Sequence, residues 1–168
     1  MKLDDIKHGL SSFWDSVSDG WQHLRQSASS SLTRFKPGRQ TNLPTQSQVD
    51  DGFYLPDGGW SMLGDDVFED DKRIVVRLEI PGVSRDDLEV EVQDQSLIVS
   101  GEKRFEREET QGQYRVLQCA YGQFRRVVPL PSEVLSDQAK AVCKNGVLRV
   151  ELPKASPAKP RKLAVQVN

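Results

Sequence analysis

The chain has 168 residues, of which 36% are hydrophobic, and carries a formal net charge of -2. That length supports one substantial core with room for flanking segments, and a mean hydropathy of -0.57 implies that part of the chain stays outside the core. The near-neutral balance gives no electrostatic drive toward nucleic acid or an anionic membrane, and no apolar run approaches the roughly 20 residues that span a bilayer. With Asp4 and Asp5 at the start and no apolar run behind them, no secretory signal is expected. Two cysteines, Cys119 and Cys143, lack metal-type spacing and read as small strand hydrophobes of a reducing, cytoplasmic protein.

Leu3, Ile6, Leu10, Phe13, Trp14, Val17, Trp21 and Leu24 recur at three- and four-residue intervals, so an amphipathic helix is expected over about 3–25. Its polar face mixes Asp4, Asp5, Asp15 and Asp19 with Lys7 and Arg25, which argues against a membrane-surface helix with a cationic face. A helix docked on its own domain, a contact between copies and a sticky arm for other proteins stay open as readings. From about 26 to 48 the composition turns to Ser, Gln, Pro and Gly, which is linker chemistry with little to bury. Residues 49–63 hold Phe53, Tyr54, Leu55, Trp60, Met62 and Leu63, broken by Pro56 and Gly58-Gly59, as an irregular aromatic segment.

The folded domain is expected over 64–154. Val67-Phe68 reads as a short strand, and Ile74, Val76, Leu78 and Ile80 alternate along the next until Pro81-Gly82 stops it. Ser84 is placed to cap a single turn over Arg85-Asp86-Asp87. Leu88 to Val92 alternates strictly, and Leu97 to Glu102 forms the next strand. A charged excursion over 103–113 follows, with room for a further strand at Tyr114 to Cys119. Gly122 to Leu130 is a strand ended by prolines. Asn145-Gly146 then joins two alternating runs, the strongest short-range signal for a hairpin with a type I′ turn. A two-residue turn sets Cys143 opposite Leu148, Ala141 opposite Val150 and Ala139 opposite Leu152. Short strands at regular spacing with no helices between them define an all-β, immunoglobulin-like antiparallel sandwich.

No catalytic, cofactor or metal site is expected. Both histidines, His8 and His23, lie in the N-terminal arm, so the sandwich has no imidazole for a nucleophile pair. There is no Gly-rich phosphate cradle, and Glu89 and Glu91 read as a solvated strand face. Arg126 is the charge that stands out. It shares a strand face with Phe124, where a cation is costly unless paired, and carboxylates within 102–109 are its expected partners, an edge arginine reaching water being the alternative.

Four ordered motifs carry a family resemblance: Leu78-Glu79-Ile80-Pro81-Gly82-Val83, Leu97-Ile98-Val99-Ser100-Gly101-Glu102, Gly122-Gln123-Phe124-Arg125-Arg126 with Leu130-Pro131, and Asn145-Gly146-Val147-Leu148 with Leu152-Pro153. Together they resemble the α-crystallin domain of the small heat shock proteins, the Hsp20 family, in its bacterial form, over roughly 64–154. The aromatic, partly helical N-terminal arm and the extended C-terminal tail over 155–168 are similar to that family's flanks. Near its end the tail resembles the family's anchor motif, as Leu163 and Val165 or, in the other register, Val165 and Val167.

The resemblance implies an ATP-independent holdase that binds partly unfolded proteins through apolar surface and passes them to refolding chaperones. Client contacts would come from Leu10, Phe13, Trp14, Val17, Trp21, Phe53, Tyr54 and Trp60. A groove lined by Val90, Val92, Ala141 and Cys143 would receive a neighbour's anchor. Strand-exchanged dimers built through Tyr114, Val116 and Arg126 would form a larger homo-oligomer. Gln118-Cys119 departs from the Glu-Arg that bacterial members often carry, which puts a usual intersubunit ion pair in question. The rival reading is a co-chaperone-like module that binds one specific partner.

Overall fold

The computed structural model describes residues 30–107 and 112–156. The helix expected over 3–25 and the anchor residues Leu163, Val165 and Val167 lie outside the described residues.

Strict alternation and local turn chemistry produce the hairpin expected in the C-terminal half. Asn145 and Gly146 take φ of 52° and 73°, the left-handed values that a type I′ turn requires. They join β8 (Lys140–Lys144) to β9 (Val147–Pro153) with Cys143 opposite Leu148 and Ala141 opposite Val150. Ala139 falls one residue before β8, so its expected pairing with Leu152 does not form within the ladder. Along β9, Leu148, Val150 and Leu152 point inward and are at most 3% exposed.

β4 (Arg73–Glu79) pairs with the other side of β9, and β3 (Asp65–Glu69) with β4, giving a four-stranded antiparallel sheet in the order β3-β4-β9-β8. Ile74, Val76 and Leu78 present the core face of β4, as their spacing predicts. The second sheet has the order β5-β6-β7, from β5 (Leu88–Gln93), β6 (Ser96–Lys103) and β7 (Gly122–Pro129). Side chains of both sheets meet in one cluster: Leu97, Val99, Phe124 and Val128 from one, Ile74, Val76, Leu78, Leu148, Val150 and Leu152 from the other. Each fully buried aliphatic side chain there stabilises the fold by about 1.5–3 kcal/mol. The single turn before β5 forms at Arg85–Asp87 with Ser84 at its cap position, but the Ser84 hydroxyl makes no capping bond.

The stretch expected as linker is in part structural. β1 (Leu32–Phe35) pairs with β2 (Gly59–Met62), and Phe35 is 2% exposed with its ring 5.2 Å from that of Phe124. Beyond β1, Lys36 exchanges both backbone bonds with Gln123, at 2.9 and 2.7 Å, and so extends the second sheet past β7. Close approach of these chains needs glycine: a Cβ on Gly122, whose φ is +119°, would lie 2.2 Å from the Lys36 carbonyl oxygen. The Thr41 hydroxyl accepts from the Gly38 N–H at 2.7 Å and donates to Glu102 Oε1 at 2.6 Å. Composition suggested little to bury here. Phe35, packed on Phe124, and Thr41, bonded to Glu102, fasten it to β7 and β6, and Thr33 is buried as well. The packed unit therefore begins near residue 33 rather than at 64.

Candidate assembly and client-binding surfaces

The alternation along β7 puts Phe124, Arg126 and Val128 inward and Gln123, Arg125 and Val127 outward. Arg126 is 8% exposed, and its guanidinium pairs with Asp65. The partner is thus a strand-end acid of the opposite sheet, not a carboxylate of 102–109. Glu102 is instead engaged by Thr41. A buried cation held by an acid across the sandwich ties two edges together, because Arg126 belongs to β7 and Asp65 to β3. Sequence periodicity placed Arg126 on the right face but carried no signal for Asp65, since the contact is set by how the sheets stack.

That pair fixes the opposite flank as well. With β7 lying over β3, the remaining edges of the two sheets, β5 and β8, share the other side of the sandwich. The four residues expected to line a groove sit on these edges. Val90, Val92 and Cys143 are half-buried and pack against the main core, and Ala141 is exposed. The residues opposite Ala141 and Cys143 on β9, Val150 and Leu148, are buried, so bulk lies beneath and small side chains lie at the rim. No hydrogen bond or ion pair joins β5 to β8 among the described residues. The flank presents two unpaired strand edges with an apolar floor, a geometry suited to an extended segment that places alternate apolar side chains inward.

The aromatic segment divides. Phe53 is 92% exposed and Trp60 59%, joined by Leu55, Met62 and Phe68 as uncovered large side chains. Arg34 lies over the Trp60 ring at 6.0 Å. Tyr54, expected among the exposed aromatics, is buried: its hydroxyl donates to the Pro44 carbonyl at 2.6 Å, and burial pushes its phenol above the ordinary value. It belongs to the packing of the 43–59 stretch, because consecutive residues of an irregular segment point in different directions. Leu10, Phe13, Trp14, Val17 and Trp21 lie outside the described residues.

The expected strand over Tyr114 to Cys119 is only a single parallel bridge, Tyr114 to Val49. The Asp50 N–H donates to the Tyr114 carbonyl at 2.7 Å, Arg115 pairs with Asp50, and the rings of Tyr114 and Tyr121 meet Phe105 edge-on at 5.3 and 5.2 Å. Among the described residues this segment forms no ladder with any strand beyond that one bridge. Val116 is 59% exposed, while Tyr114 is half-buried. Of the three residues expected at a dimer interface, Arg126 is the one turned inward.

A further charged cluster includes Arg149 and Glu151, which lie on the outer face of β9. Arg73 donates to Asp70 at 3.1 Å and to Glu151 at 3.0 Å, and Arg149 donates to Glu151 at 3.0 Å. Hydrogen bonds first from Arg73 and then from Arg149 hold the Glu151 carboxyl below its ordinary value. Glu69 accepts from Lys154 and from the Ser132 hydroxyl, both at 2.6 Å, and is lowered for that reason. Both thiols, Cys119 and Cys143, are free. Among the described residues no group of three or more His, Cys, Asp or Glu side chains is placed to hold a metal ion.

Two antiparallel sheets with this strand order, one flank closed by a buried Arg–Asp pair and the other open, define a β-sandwich of the α-crystallin type. The Hsp20/alpha crystallin family matches residues 66–168, and the chain belongs to that family. It is similar to the 17.8 kDa class I heat shock protein of Arabidopsis thaliana, with 40% identity over 86 residues that cover 51% of this chain and 55% of that protein. Small heat shock protein C2 of Rickettsia felis is 30% identical over 101 residues, covering 60% of this chain and 66% of its own length. The chain therefore spans between about half and two thirds of these curated relatives. Among solved structures, heat shock protein 16.0 from Schizosaccharomyces pombe matches with a TM-score of 0.54 and 33% identity, covering 62% of this chain and 97% of that one. A small heat-shock protein from Xylella fastidiosa, described as having a distinct high order structure, matches at 0.50 and 26%, covering 64% and 98%.

Proposed function

We propose that this protein is an ATP-independent holdase that binds partly unfolded proteins and keeps them from aggregating under heat or other stress. The observation that carries the reading is the set of large apolar side chains left uncovered in a member of this family: Phe53, Leu55, Trp60, Met62 and Phe68. Unfolding proteins expose apolar patches of many shapes, and exposed side chains on an irregular stretch (Phe53, Leu55) and on strands β2 and β3 (Trp60, Met62, Phe68) can cover them without a fixed pocket. The stripe of Leu10, Phe13, Trp14, Val17 and Trp21 adds to this reservoir, and refolding chaperones would take the clients on.

The same reading makes the protein a homo-oligomer. Copies exchange the segment from Tyr114 to Cys119 to form dimers, and the tail of one copy places Leu163 and Val165, or Val165 and Val167, against Val90, Val92, Ala141 and Cys143 of another. Two free thiols fit a reducing cytoplasm. No helix among the described residues is long and apolar enough to cross a membrane, and neither nucleic acid nor catalysis has a place in this reading.

The test is light scattering of a heat-labile client without ATP, with the full chain and with a form truncated before Arg161. The full chain should suppress aggregation at near-stoichiometric amounts, and no suppression would overturn the holdase reading. A stable monomer by size-exclusion chromatography would favour the single-partner module instead.

A further inference from the structure

Both limbs of the charged excursion between β6 and β7 bond to the same stretch, residues 41–51. On the outgoing limb, the Phe105 N–H donates to the Thr41 carbonyl at 2.9 Å, and Arg107 Nη2 donates to Gln48 Oε1 at 3.0 Å. On the returning limb, the Asp50 N–H donates to the Tyr114 carbonyl at 2.7 Å, and Arg115 pairs with Asp50. Two residues on, the Leu117 N–H donates to Asp51 Oδ2 at 3.4 Å. The other oxygen of that carboxylate, Oδ1, accepts from the Phe53 N–H at 2.9 Å, inside the turn that the Tyr54 N–H closes on the Asp51 carbonyl. Asp50 and Asp51 thus hold residues 114–117 from a stretch that is itself fastened, since Thr41 is bonded to Glu102 and Val49 is buried.

The hold is specific but weak. The side chains of Arg115 and Asp50 are 74% and 59% exposed, so their attraction is small and screened by salt. Tyr114 adds an edge-on contact with Phe105, while Val116 stays exposed. A segment held in this way is free for another copy only while the hold is open. Every contact that closes it lowers the fraction of chains able to exchange.

We infer that Asp50 and Asp51 form a latch that parks residues 114–117 on their own subunit and competes with the exchange of that segment into a second copy. The inference rests on the proposed exchange of Tyr114 to Cys119 and adds what opposes it. The apparent dissociation constant of the dimer is then the intrinsic one divided by the unlatched fraction. Once the segment has been exchanged, Asp50 no longer holds it, so the latch acts on association and not on dissociation.

The experiment uses the full chain, diluted until monomers form, beside Asp50→Asn, Arg115→Gln and the reciprocal pair Asp50→Arg with Arg115→Asp. Association and dissociation rates are read by fluorescence transfer between copies labelled at the N-terminus, and amide exchange over 48–54 by mass spectrometry. Asp50→Asn and Arg115→Gln should each speed association and tighten the dimer by about two- to five-fold, the worth of an exposed ion pair, with dissociation unchanged. The reciprocal pair should restore the original rates. Raising salt from about 0.05 to 0.5 M should speed association of the original chain and move Asp50→Asn much less. The Asp50 amide should be protected in monomers and exchange faster in dimers, where Tyr114 has left it. Both side chains are exposed, and if one variant fails to fold the other carries the same expectation. Unchanged rates, a lower melting midpoint alone, or a change that the reciprocal pair does not reverse would overturn the latch. Dimers in which the Asp50 amide stays protected would leave the homo-oligomer standing and defeat the inference. A chain that stays monomeric at every concentration would remove the exchange reading, and the inference with it.

Discussion

The two flanks of the sandwich are built in opposite ways. At the β3/β7 flank a buried ion pair, Arg126 to Asp65, bridges the sheets, and Lys36 adds its backbone beyond β7. At the β5/β8 flank two bare edges carry Val90, Val92, Ala141 and Cys143, with no bond between them among the described residues. A fold of this size can leave one seam unsealed because the other is fixed electrostatically and through the shared core. With the proposed groove on the open flank, stability and assembly would be separated: substitutions at the first flank should unfold the chain, and substitutions at the second should change what it binds.

The largest effects should fall on the closed flank. Arg126→Ala leaves Asp65 without its guanidinium inside the sandwich and should cost about 3–5 kcal/mol in chemical denaturation. Phe35→Ala removes a ring from the core and should cost about 3–5 kcal/mol; a neutral result would return residues 33–36 to the status of linker. Gly146→Ala, at φ +73° and with its new Cβ 3.3 Å from the Pro81 Cα, should cost about 1–2 kcal/mol by the left-handed penalty. On the open flank Ala141→Lys should move stability by less than about 0.5 kcal/mol, as an exposed substitution, yet reduce assembly mass in sedimentation velocity.

The smallest effect is one of pH. Glu69, Asp70 and Glu151 are held below their ordinary values of 4.5, 3.8 and 4.5, chiefly by Lys154, the Lys72 N–H and Arg73 respectively. Carboxyls lowered on folding stabilise the native state above their unfolded values, and that contribution is lost as pH falls through the folded ones. Melting midpoints should therefore be flat from pH 7 down to the middle 4s and decline below. Lys154→Met should lessen the decline by removing the group that lowers Glu69.

What was legible in the sequence follows from how local each determinant is. Asn145-Gly146 fixes its hairpin within two residues, so the register from Cys143 to Leu148 could be read directly. The inward face of β7 followed from alternation. The partner of Arg126 could not be read, because Asp65 is 61 residues away and the pairing depends on sheet stacking. Residues 33–48 were misjudged because a few buried side chains among many polar ones outweigh average composition. Tyr54 was misplaced because an irregular segment has no period from which to deduce a face. Lys154 gave no signal either, as a lysine after a strand-ending proline looks like any solvated surface residue.

The most direct test of the open flank is the alkylation rate of Cys143 in a Cys119→Ser background, in the full chain and in the form truncated before Arg161. With the anchor seated on β5 and β8, the full assembly should protect Cys143 by about ten-fold or more relative to the truncated form, and protection should fall as assemblies are diluted into smaller species. Equal rates in the two forms at every concentration would contradict the assignment of this flank as the assembly groove.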